Sequence, residues 1–127
     1  MTRYVVDSWA WVEYMEGSPA GVKVDSVISR TDGLWTSVLS LAEVVSKYRR
    51  KKIDETPATQ AISTLSRLGI PSGEDATEAG RIHAEVKPQS PNFGLADSFV
   101  LQLARKLGAK VLTGDTDFRG IKEAELI

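Results

Sequence analysis

The chain has 127 residues, and 16 Lys and Arg against 17 Asp and Glu leave a formal net charge of -1; no global field draws in a polyanion, so any nucleic-acid contact has to come from a local patch. With no cysteine and a single histidine, His83, disulfides, thiolate-bound zinc and iron-sulfur sites are excluded, and imidazole-based zinc chemistry or a Ser-His-Asp triad is disfavoured. The length suits one domain over residues 1–127, and the composition allows a reducing cytoplasm, the expected location.

The first apolar run, Tyr4–Val6, starts too close to Met1 to leave room for a signal peptide, and no run approaches the ~20 apolar residues of a membrane span, so no membrane partner is expected. Tyr4–Val6 reads as a strand, after which Asp7 and Ser8 open a helix closed by Gly17. Pro19 suits the first position of a second helix. Leu34, Trp35 and Thr36 form the next strand, and Ser40, Leu41, Ala42 and Glu43 have the spacing of a capping box opening a helix to about Lys52. Pro57 starts another helix, a weaker strand lies around Ile70, and residues 75–86 read as a helix. Residues 87–94, with two prolines, break the pattern and read as a mobile connection. Leu95–Leu107 is the clearest helix, stopped by Gly108; Lys110–Thr113 is a strand, followed by a turn through Asp115 and Asp117 and a short strand at 125–127. Short apolar strands alternating with helices predict an α/β fold with a mostly parallel sheet.

Asp7, Glu43 and Asp115 follow strands, so a parallel sheet brings them to the edge where such sheets bind ligands. Asp97 instead lies on the apolar stripe of its own helix: at ~100° per residue it shares a face with Val100, Leu101 and Ala104. A carboxylate aimed at a core needs a hydrogen bond, a proton or a cation. Taken singly, each acid also suits a cap: Asp7 as an N-cap, Glu43 in its box, Asp97 in a first turn, Asp115 in an Asx-turn. Gathered in one crevice they would repel one another unless a cation neutralised them, and oxygen ligands point to Mg²⁺ or Mn²⁺. On the helix after Glu43, Lys47 and Arg50 lie within ~40° of it, either as a basic rim for phosphates or as a solvated face with a Glu43 to Lys47 pair. Trp9, Trp11, Tyr14 and Met15 make the first helix apolar nearly all round, for burial or for a partner.

The order and spacing of Val6-Asp7-Ser8, Leu41-Ala42-Glu43, Leu95-Ala96-Asp97-Ser98 and Leu112-Thr113-Gly114-Asp115-Thr116-Asp117-Phe118 resemble the PIN-domain nucleases, and within them the VapC-like toxins of prokaryotic toxin-antitoxin pairs. The resemblance implies a three-layer α/β/α sandwich on four to five strands. It also implies RNA phosphodiester hydrolysis with Mg²⁺ or Mn²⁺, a homodimer, and an antitoxin partner that blocks the site. On that pattern Asp7, Glu43, Asp97 and Asp115 form the acidic quartet. Asp7, Asp97 and Asp115 hold metal, Glu43 completes the shell or orients water, and Asp117 is auxiliary. Ser8 and Thr113 would support the ligand carboxylates; Lys47, Arg50 and Lys51 become candidate RNA contacts. Two alternatives stay open: the same fold as a non-catalytic binding module, and an aspartyl-phosphate receiver or phosphatase. The latter wants a lysine at a strand end, whereas Lys110 begins its strand.

Overall fold

The computed structural model describes residues 2–127. In chain order the elements are β1 (Tyr4–Val6), α1 (Ser8–Glu16), α2 (Pro19–Arg30), β2 (Leu34–Ser37), α3 (Val38–Arg50), α4 (Thr56–Leu65), β3 (Arg67–Gly69), α5 (Gly73–Val86), α6 (Leu95–Leu107), β4 (Lys110–Thr113), a 3₁₀ turn (Thr116–Phe118) and β5 (Ala124–Leu126). The five strands form one sheet in the order β3-β2-β1-β4-β5, and every pairing is parallel.

Alternation along the strands sorts the two faces. Tyr4 and Val6 of β1 and Leu112 of β4 join a core built with α1, α2, α3 and α4. Val5 and Val111, which are paired neighbours in the register, face a second core with Ile82 of α5, Val100, Leu101 and Ala104 of α6, and Phe93 and Phe118. This is the expected three-layer α/β/α sandwich, and β1 is buried along its whole length, as strands covered on both faces are. The chain moves from β1 outward to β2 and β3, then crosses to β4 on the other side of β1, so connectivity reverses between β1 and β4. A crevice opens at the carboxyl ends of strands at such a reversal.

Several local expectations hold. Gly17 and Gly108 take left-handed φ of 65° and 64° to close α1 and α6, and Ser18 caps α2 ahead of Pro19, accepting from the Gly21 amide at 2.9 Å. Other expectations are corrected. The Ser40–Glu43 capping box does not form, because β2 runs into α3 with no intervening residue: Ser37 is the cap, accepting from the Leu39 amide at 3.2 Å, and Ser40 is buried inside the helix. The reciprocal box belongs to α5, where Ser72 and Asp75 exchange bonds of 3.1 and 2.9 Å. β3 lies at Arg67–Gly69, just before Ile70, which is 78% exposed. Residues 87–94 are pinned: Phe93 is fully buried with its ring edge-on to Phe118 at 5.4 Å, and the Ser90 hydroxyl donates to the Asp117 carbonyl at 3.0 Å. The apolar girth of α1 is accounted for by burial of Ala10, Trp11 and Val12, with Trp9, Tyr14 and Met15 packed on the same core. Among the described residues no helix is long and apolar enough to cross a membrane.

Candidate active site

Asp7 leaves the end of β1 at the connectivity reversal and is 2% exposed. It occupies the N-cap position of α1 yet makes no cap bond. Its Oδ2 accepts from the Thr113 hydroxyl at 2.8 Å, while its buried Oδ1 has no hydrogen-bond partner among the described residues. Burial pushes its pKa up to about 7; the Thr113 hydrogen bond and, more weakly, the neighbouring Ser8 amide oppose this, and the charges of Asp97 and Glu43 add to it. Local capping therefore does not explain Asp7. An orphaned oxygen on a buried acid facing other acids calls for a cation or a proton.

Asp115 sits past the end of the neighbouring β4. Its Oδ1 accepts from the Asp117 amide at 2.9 Å, and its own amide donates to the Thr113 hydroxyl at 3.0 Å. The expected Asx-turn is present and does a second thing: it brings Asp117 round to the same side. Thr113 bridges the two strand ends, donating to Asp7 and accepting from Asp115.

Asp97 is the third residue of α6, and its Oδ2 accepts from the Gly94 amide at 2.8 Å. A cap accounts for one oxygen; Gly94 has no side chain to complete the box. The residue is half-buried, and its pKa is raised to about 6, first by burial and then, against the Gly94 bond, by the charges of Asp115, Glu43 and Asp117. One carboxylate oxygen each from Asp97, Asp115 and Asp117 lie within 4.8 Å of one another, close enough to share an ion. Asp117 thus joins Asp97 and Asp115 in this group, of which Asp7 is not a member. The turn that positions Asp117 was legible in the sequence; its distance to Asp97 across the sheet edge was not.

Glu43 lies in the second turn of α3. Although the residue is exposed, its carboxyl is held above the ordinary range by partial burial, opposed by the Ser8 hydroxyl beside it and reinforced by Asp115. A cleft of about 210 Å³ is lined by Ser8, Trp9, Glu43, Lys47, Arg50 and Asp115 among others. Lys47 and Arg50 therefore share the acids' cleft, and among the described residues no Glu43 to Lys47 ion pair closes on the surface. Lys51 caps the carboxyl end of α3 and is not part of that lining. Lys87 moderates the raised pKa of Asp117. His83 is half-buried in the last turn of α5. Lys110 starts β4, at the end of the sheet away from the acids, with Glu125 4.0 Å from its Nζ.

Carboxylates alone, with no nitrogen or sulfur ligand nearby, make a donor set for a hard divalent cation. The orphaned Asp7 oxygen and the raised carboxyl pKa values fit such an ion, which would offset the mutual repulsion.

Comparison with known proteins finds the same fold. Similar solved structures include a toxin-antitoxin complex from Klebsiella pneumoniae (TM-score 0.77, 17% identity, covering 98% of this chain and 96% of that one). Mycobacterium tuberculosis VapC20, described as a sarcin-ricin loop cleaving toxin, matches with TM-score 0.74 and 16% identity over 94% and 97% of the two chains. DNA-bound VapBC from Salmonella typhimurium matches with TM-score 0.74 and 16% identity over 100% and 98%. At these identities the likeness is one of fold. No curated protein sequence matches significantly. The PIN domain profile matches residues 4–124, nearly the whole chain and a span that includes Asp7, Glu43, Asp97, Asp115 and Asp117, and the chain accordingly belongs to the PIN domain family.

Proposed function

We propose that this chain is a metal-dependent endoribonuclease, the toxin of a VapBC-type toxin-antitoxin pair, acting as a single domain in the cytoplasm. The observation that carries the reading is Asp7: a buried acid whose second oxygen has no partner and which faces Asp97 and Glu43. Such an arrangement costs stability in the free protein and is explained by a cation that completes it. Its membership of the PIN domain family and its fold likeness to VapC and VapBC structures support the same reading.

Asp97, Asp115 and Asp117 would hold the ion, with Asp7 supplying a further oxygen directly or through water. The ion is Mg²⁺ or Mn²⁺, which when bound acidifies water and offsets charge on the phosphoryl oxygens. Glu43, at the cleft rim with its carboxyl pKa raised, orients the attacking water and takes up its proton. Lys47 and Arg50 hold the RNA phosphates beside the acids, with Lys51 extending the contact along the strand. Ser8 and Thr113 fix the rotamers of Glu43 and Asp7. A homodimer and a cognate antitoxin that covers the cleft complete the proposal, as toxin-antitoxin complexes of the same fold are known.

The test is incubation of the purified protein with an RNA pool. Cleavage is expected with Mg²⁺ or Mn²⁺, none with a chelator, and none by Asp97→Asn, whose circular dichroism should match the parent. Undiminished cutting by a folded Asp97→Asn protein would overturn the site. Metal binding without turnover on any RNA would instead favour a non-catalytic binding module.

A further inference from the structure

We propose that Trp9 and Gly114 are a pair of positioning residues: the indole seated on Gly114 sets the separation between the strand end carrying Asp7 and the one carrying Asp115. The inference builds on the metal-dependent reading above, but its structural core does not depend on it.

Gly114 is not required by its backbone. The glycines at positive φ are Gly17, Gly108 and Gly120, so an L-residue would suit the torsions at 114. What demands glycine is space. A Cβ there would lie 2.2, 2.5 and 2.6 Å from Cη2, Cζ3 and Cζ2 of Trp9, well inside the ~3.5 Å at which carbon atoms pack. Trp9 packs with one side on the core between the sheet and α1–α4 and with the other forms part of the cleft wall with Val12 and Val44, so a Cβ at 114 would press either the ring toward the cleft or the 113–115 backbone away from it.

The place of this contact gives it meaning. Trp9 stands two residues after Asp7 and one after Ser8; Gly114 stands between Thr113 and Asp115. The indole therefore spans the connectivity reversal between β1 and β4, alongside the Thr113 hydroxyl that links Asp7 Oδ2 to the Asp115 amide. The polar tie orients the carboxylates. The apolar tie holds the two backbones at the distance that lets them serve one site. A Cβ built on Gly69 would also meet Leu103, at 2.5 Å, and one built on Gly21 the Glu13 carbonyl oxygen, at 2.0 Å, but those contacts join β3 to α6 and α2 to α1 and bear on no acid of the cleft.

Crystal structures of the parent protein, Gly114→Ala and the double variant Trp9→Leu/Gly114→Ala test the proposal directly, with Mn²⁺ calorimetry on the same proteins. Gly114→Ala should displace the 113–115 backbone by about 1 Å to regain carbon contact distance, weaken Mn²⁺ binding about 10–100-fold, and lower the metal-free melting temperature through overpacking. The double variant should return Asp115 to its place and bind Mn²⁺ more tightly than Gly114→Ala alone. If the indole swings away while Asp115 stays put, or if removing the indole gives no return, the pair does not position the acid. Should Gly114→Ala fail to fold, a Trp9→Leu structure with the Asp7 to Asp115 separation unaltered would overturn the proposal equally. A parent protein that binds no Mn²⁺ would defeat the functional reading, while the displacement in the crystal would still decide the positioning.

Discussion

Asp7 and Asp75 are both aspartates at helix starts, and their surroundings are opposite. Asp75 has every oxygen engaged: Oδ2 accepts from the Ser72 amide, and Oδ1 accepts from Gln102 Nε2 at 2.9 Å and from Lys106 Nζ at 3.1 Å, tying α5 to α6. Those bonds, led by the Ser72 amide and the Lys106 ammonium, hold its carboxyl below the usual range. Asp7 is buried, keeps one oxygen without a partner, faces like charges and is raised to about 7. The first is an acid used for stability. The second is held in a state that costs stability, which a folded chain tolerates where function requires it. The contrast singles out the surroundings of Asp7 as the candidate site with no reference to any relative.

The largest expected effect that would break this contrast is on activity. Asp7→Asn should lower RNA cleavage by at least about 100-fold and raise the melting temperature of the metal-free protein at pH 8, because a buried charge repelling Asp97 and Glu43 is gone. Asp75→Asn should do the reverse, lowering the melting temperature by a few degrees with cleavage retained. Equal behaviour of the two variants in a paired melting and cleavage assay would dissolve the distinction.

Next is the pH dependence of stability. Asp7 and Asp97, at about 7 and about 6, lie above their ordinary 3.8, so the folded metal-free chain binds these protons more tightly than the unfolded chain does. Their stabilising contribution is fully present below about pH 4 and is lost as pH rises through 6 to 7. A divalent cation needs the ionised forms. Added Mg²⁺ should accordingly raise the melting temperature more at pH 8 than at pH 5; an equal rise at both would place the ion elsewhere.

The smallest effect separates two kinds of lysine. Lys106 is spent on Asp75, whereas Lys47 shares the cleft with Arg50 and forms no ion pair among the described residues. Lys47→Ala and Arg50→Ala should each reduce the slope of log affinity against log salt by roughly 0.7 for single-stranded RNA, measured with a chelator present, while Lys106→Ala should leave it unchanged. A slope insensitive to Lys47 and Arg50 would move the RNA path off α3.

How much of this was legible beforehand differs by element. Helices with strong period and a glycine stop, such as α6, were plain, and so were β1 and β4, whose apolar runs are continuous. β3 is a short edge strand with two exposed residues, so neither alternation nor burial marks it. The misread box at Ser40 and Glu43 shows why caps are hard to place: a serine three residues before a glutamate fits the spacing, but here the helix had already begun at Val38. Removing that box frees Glu43 from a purely local explanation. For Asp97 a cap engages one of its oxygens, whereas Asp7, with one oxygen that no partner engages, is the most telling acid.

The chain's local order was enough to assign an α/β fold and to put Asp7, Glu43 and Asp115 just past strands, because periodicity and strand-to-helix junctions are properties of neighbouring residues. Burial of Asp7 with an orphaned oxygen, the meeting of Asp97, Asp115 and Asp117 within 4.8 Å, and the indole of Trp9 on Gly114 came from folding. The Asp7 to Thr113 bond and the indole on Gly114 depend on β4 lying beside β1, and pairing between segments about a hundred residues apart leaves no periodic trace in either segment; the meeting of Asp97 with Asp115 and Asp117 depends on how α6 packs beside β4.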